Sequence, residues 1–333
     1  METPAGDLPG GSVFSARSLV FSVLCAAVSV WCLRTGFLSF LFLFPLGLAA
    51  FFWGAKAAWA AGILAAAGNI ILSLWVYFYQ NAEPALLRWN AQYYTVMVLA
   101  FSWINAPLNR GGIMMGGVYR IAGGAVCCAL LISPIFLSLM ADPQTGAFVS
   151  RHIASFGFSG SPGAAGAVDF TPEEIIASLV YAGLRGGILV SCAFFLALSR
   201  QLAWGIARLV RRTLPAKPEE FHAHPLLIWA LSLALGAVLL GRMRELDTLE
   251  ITGWNVLVLS GILYLVQGGS IAVHYLVKAP PLPRVLINLG LILLFFTPGI
   301  NAALLGILAL LGIAENWVPF RAPKPGPPPT PEA

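Results

Sequence analysis

Apolar residues run along this chain in long blocks, broken by short polar links, with neither the strict alternation of strands nor the one-sided stripes of soluble helices. A helix needs about 20 such residues to cross ~30 Å of hydrocarbon. Blocks near that length fall at 18–33, 36–53, 57–79, 91–107, 121–140, 173–199, 225–241, 251–277 and 285–313. Barrel strands are shorter and alternate, so the blocks predict helices. The expected fold is all-α: a polytopic helical membrane protein with about 8–10 membrane-entering helices.

Two blocks depart from a simple crossing. The first pair is separated only by Arg34 and Thr35, which predicts a tight hairpin. The last holds Pro298 and Gly299 near its middle. Proline removes a backbone donor and clashes with the preceding turn, so a break is expected there. The break is either a kink in one span or the turn of a short hairpin.

The pattern divides the chain into a cytoplasmic segment, 1–17, a single helical transmembrane domain, 18–315, and a proline-rich disordered tail, 316–333. The domain carries an outer loop at about 141–171, rich in Gly, Ser and Ala, and an inner basic loop at about 200–224. Cytoplasmic links are enriched in Lys and Arg. With the amino terminus inside, eleven fall in inner segments (Arg17, Lys56, Arg110, Arg120, Arg200, Arg208, Arg211, Arg212, Lys217, Lys278, Arg284) and five in outer ones (Arg34, Arg88, Arg151, Arg242, Arg244). Both termini are therefore expected in the cytoplasm, the carboxyl terminus through a hairpin at the last block, and the chain in a bacterial inner membrane.

Composition agrees: 59% of residues are apolar, 10% are charged, and the mean hydropathy is +0.83. Soluble domains carry about 25% charged residues, which excludes a water-soluble enzyme. The net charge of +5 reflects orientation and anionic headgroups, not nucleic acid. Cys25, Cys32, Cys127, Cys128 and Cys192 all lie in apolar blocks, without the spacing of a zinc site or disulfide framework. No phosphate-binding loop, H-E-x-x-H or serine triad is present, so no catalysis, metal or cofactor is expected. His222 and His224, beside Glu219 and Glu220, are weak metal evidence.

Ionisable or strongly polar residues at membrane depth are functional candidates. In "TPEEIIASLVYAGLRGG", Glu174, Ser178, Tyr181 and Arg185 share one helical face. That face either lines a solute cavity, with Arg185 receiving an anion, or belongs to an outer amphipathic helix hinged at Gly186 and Gly187. Gln267 and His274 stand seven residues apart on one face, with Ser270 between, and suit either a ligand or interhelical hydrogen bonds. Asn69 and Ser73 are similar. Small residues recur in two rows, Ala57–Ala61–Ala65 and Ala58–Gly62–Ala66, suited to close helix packing.

The last third carries "LYLVQGGSIAVHYL", a basic link with Lys278 and Arg284, an apolar stretch broken at "FFTPGIN", and the ending "LLGIAENWVPFR". Over about 255–321 this resembles the YybS-like family of bacterial multi-pass membrane proteins, a domain of unknown function. The matching positions are Gln267, Gly268, Gly312, Glu315, Trp317, Phe320 and Arg321; Glu315 stands where the family pattern implies Asp. The resemblance implies a helical form similar to the substrate-binding subunits of energy-coupling-factor transporters. Two functions follow as expectations. One is a solute-binding or transport component working in the lipid bilayer with separate ATPase or coupling membrane subunits. The other is a non-transporting scaffold or assembly factor for envelope proteins.

Overall fold

A computed structural model describes residues 16–35, 38–80, 84–105, 117–142, 172–211, 221–278 and 299–321, with isolated positions between them. All regular structure among them is helical. Five helices are long and apolar enough to cross a membrane, and three shorter apolar segments accompany them. The chain is a polytopic helical membrane protein. It divides into two compact units, Met1–Leu214 and Pro215–Ala333.

The first unit contains α1 (Ala16–Arg34), α2 (Phe44–Trp53), α3 (Ala55–Gln80), α4 (Pro84–Asn105), α5 (Gly117–Met140), α6 (Pro172–Ala182) and α7 (Ile188–Arg211). The expected crossing at 36–53 is not one continuous helix. Its chain returns through a 3₁₀ turn at Ser39–Leu41 and the ten-residue α2, with Pro45 in its first turn. Proline suits that position because its missing N–H would find no partner there anyway. Irregular backbone at membrane depth persists only where protein covers it, and Phe42, Leu43, Leu46 and Ala49 are all fully buried. The Ser29 hydroxyl reaches the Phe42 carbonyl at 2.5 Å and the Tyr94 hydroxyl at 2.7 Å.

The small residues of α3 are taken up by internal packing. Ser22 on α1 donates to the Ala57 carbonyl, and Ser102 on α4 donates to that of Ala58. A Cβ on Gly62 would collide with the Ser102 hydroxyl. Along α5 and α7 the pairing is antiparallel: the thiols of Cys128 and Cys192 meet, and one turn on, Gly124 packs against Leu196. Between α6 and α7 the helix is broken by a kink at Gly183–Gly187, where Arg185 leaves helical geometry and Gly186 has φ +114°. Only glycine takes that φ at little cost.

The second unit contains α8 (Leu227–Met243), α9 (Asp247–Lys278) and α10 (Ile300–Ala314). α8 and α9 form a hairpin through Arg244–Leu246, closed where Gly241 lies against the backbone of Glu250. α9 and α10 cross through glycines: a Cβ on Gly268 would land on the Leu308 carbonyl, and one on Gly312 on the Tyr264 carbonyl. α10 begins after Gly299, whose φ is +84°, so a helix does start anew at the expected break. Pro298 and the hairpin or kink expected within 285–297 lie outside the described residues, apart from Gly290 and Thr297. So do 1–15, nearly all of the outer loop and 212–220. The folded chain continues through Arg321, past the expected boundary at 315.

Candidate functional site

The most concentrated polar chemistry among the described residues lies in the second unit, at the carboxyl end of α10. Glu315 caps that helix, and the chain then turns so that Arg321 comes back to it. The Arg321 Nε donates to Glu315 Oε1 at 2.7 Å and its Nη2 to Oε2 at 2.5 Å, a two-point pairing that a lysine could not reproduce. Both side chains are sealed from solvent, at 5% and 4% exposure.

Gln267, on α9 and 2% exposed, joins three segments. Its Nε2 donates to Glu315 Oε2 at 2.8 Å, while its Oε1 accepts from the Ala223 N–H at 2.9 Å. Arg321 Nη2 also donates to the Phe221 carbonyl at 2.9 Å. Around this centre, Asn316 donates to the Tyr264 hydroxyl and the Ile313 carbonyl, and the Tyr275 hydroxyl donates to the Phe320 carbonyl. The result is a clasp holding 221–223 and 315–321 against α9. Burial acts to raise the Glu315 carboxyl. The hydrogen bonds from Arg321 and Gln267, with the charges of Arg321 and His222, outweigh it and hold the group below its usual range.

Of the residues singled out in the sequence, Gln267, Glu315 and Arg321 are thus brought together, with Phe320 contributing its carbonyl and Gly312 the close crossing beneath. Trp317 is exposed and stands outside the clasp. His274 is also separate from it and contacts the Lys278 ammonium at 2.8 Å. The backbone partners at Phe221 and Ala223 could not be read from the sequence. Nothing in a polar loop 44 residues upstream of Gln267 signals that it lies beside it.

In the first unit, Asn69 is fully buried and accepts from Arg34, which also donates to Ser73 at 2.7 Å; Asn69 in turn donates to Asn90. This is a helix-bridging network, not an open site. Glu174 and Tyr181 are exposed. Arg185 lies in the kink with its guanidinium 3.3 Å from the centre of the Tyr181 ring, a cation–π contact.

Beside the same kink is a cavity of about 450 Å³. Trp89, Tyr93, Phe136 and Phe195 give it aromatic walls, Gly183 and Gly187 bring in backbone of the broken helix, and Ser191 and Cys192 add small polar groups. Arg185 does not line it. The sequence pointed to the glycine hinge but not to the aromatics gathered from α4, α5 and α7. Each of them looks like an ordinary apolar position in its own helix.

Residues 184–313 match the family described as "Predicted membrane protein (DUF2232)". No curated protein and no solved structure matches the chain. The matched region begins at the kink between α6 and α7 and ends just before Glu315, so it includes Gln267, Gly268 and Gly312.

Proposed function

We propose that this membrane protein binds a small, largely apolar solute in the cavity between α4, α5 and α7. In this reading it is a non-catalytic solute-binding component of a transport system energised by separate ATPase and coupling membrane subunits. One observation carries it: a cavity of about 450 Å³ with aromatic walls at the break of a membrane helix. Ligand sites are apolar concavities of about 300–1,000 Å³ with a few placed polar groups. The Gly312–Arg321 signature and the match over 184–313 support a YybS-like assignment. The Lys and Arg bias supports a bacterial inner membrane with both termini inside.

The test is a thermal-stability screen of the purified full chain against a panel of apolar metabolites, with Ser191→Trp, which fills the cavity, run in parallel. A compound that raises the midpoint of the wild type but not of the variant supports the reading. A folded wild type that responds to nothing, or a compound that acts equally on both, removes it.

A second reading has its own observation. The polar clasp spends its hydrogen bonds on joining segments of the chain to one another, which suits a scaffold for other envelope proteins. Co-purification of envelope-assembly proteins, lost on Arg321→Ala and kept on Ser191→Trp, would favour it.

A further inference from the structure

Two arginines face each other at one end of the α5–α7 seam. The antiparallel register that pairs Cys128 with Cys192 and Gly124 with Leu196 brings Arg120, one turn further, within electrostatic reach of Arg200. The Arg200 guanidinium lies against Gly117, the first residue of α5, so closely that a Cβ there would overlap its nitrogens. Its Nε is buried without a hydrogen-bond partner, and among the described residues Arg200 makes no hydrogen bond or ion pair.

The Arg200 charge has no carboxylate partner among the described residues. The described carboxylates of this unit, Asp142 and Glu174, belong to the opposite end of the seam, after the last turn of α5 and in the first turn of α6. The link leading into α5, residues 106–116, contains Arg110 and no Asp or Glu. Two guanidiniums beside the start of a helix, where the backbone dipole is itself positive, repel one another. A tetrahedral anion with several acceptor oxygens relieves that repulsion and satisfies the buried Nε.

The surroundings indicate where the anion comes from. On α7, Leu202, Ile206 and Leu209 follow Arg200 as exposed apolar side chains, a surface suited to acyl chains. Basic pockets between membrane helices hold anionic lipid headgroups. We propose that Arg120 and Arg200 form a binding site for the phosphodiester of an anionic phospholipid.

The experiment uses the full chain, purified and delipidated in mild detergent, and follows its thermal midpoint and native mass spectrum with three probes: phosphatidylglycerol, phosphatidylcholine and inorganic phosphate. Phosphatidylglycerol should bind and raise the midpoint, and phosphatidylcholine should not. Arg200→Gln should weaken phosphatidylglycerol by roughly fivefold or more, while Arg242→Gln, an exposed arginine of the other unit, should leave binding unchanged. Arg120→Gln gives an independent reading if Arg200→Gln does not fold. Inorganic phosphate acting alone at equal strength would make the site one for a free phosphate and overturn the lipid assignment. Equal binding by wild type and both arginine variants, or no binding of phosphatidylglycerol, would overturn the site itself.

Discussion

Arg321→Ala tests the clasp directly. It removes the cation from a carboxylate that is 4% exposed and leaves Gln267 Nε2 as the main donor still facing it. Removing one partner of a buried ion pair costs about 3–5 kcal/mol, because the remaining charge stays out of water without compensation. The loss should appear locally, in the segments that the clasp holds. Amide hydrogen exchange over 313–321 and 221–226 should therefore accelerate by roughly 140- to 4,000-fold, up to the limit set by complete opening. Peptides from the middle of α3, in the other unit, should not change. The double variant Arg321→Met with Glu315→Leu removes both charges and keeps most of the volume, so it should exchange more slowly than the single variant. An acceleration below about fivefold, the scale of an exposed ion pair, would refute the reasoning. So would a double variant as open as the single one.

Three further outcomes follow from the same geometry. Glu315 ionises more readily in the fold than in the unfolded chain, so its contribution is complete above its unfolded value and is lost as pH falls through the lower, folded one. Protection over 313–321, taken relative to the intrinsic exchange rate at each pH, should fall on that acid side in the wild type, and Glu315→Gln should remove this dependence. Gly312→Ala would force a Cβ onto the Tyr264 carbonyl and should lower stability by about 1–3 kcal/mol or more. Its readout is the thermal midpoint, along with loss of cysteine cross-linking between α9 and α10. Tyr94→Phe removes the hydroxyl beside Ser29 but leaves the Ser29 bond to the Phe42 carbonyl. It should cost only about 1 kcal/mol, whereas Ser29→Ala exposes both partners and should cost more by the same assay.

How much of this was legible in the sequence differs from element to element. Helices α1, α3, α5 and α9 follow directly from blocks of apolar residues, because crossing hydrocarbon demands a fixed length of helix with no polar backbone exposed. Gly186 and Gly299 marked real interruptions, since each has a φ that other residues rarely adopt. The segment 36–53 did not become one helix. Its composition matches that of a spanning helix, and what allows a 3₁₀ turn and a short α2 instead is burial between α1, α4 and α7, which supplies partners such as Ser29 to the irregular backbone.

By itself, then, the sequence determined the solvent in which this protein folds, its all-helical form and the breaks at Gly186 and Gly299. Those properties depend on local composition and backbone chemistry. It also named Gln267, Glu315 and Arg321 without stating that they touch. Only the tertiary structure decided that α9 and α10 cross at Gly268 and Gly312, closely enough to bring those three side chains together. Only it placed four aromatic residues from three helices around one cavity, and set Arg200 opposite Arg120. Such pairings depend on register between distant segments, and register is fixed by side-chain volume and close approach across an interface, which no single helix contains.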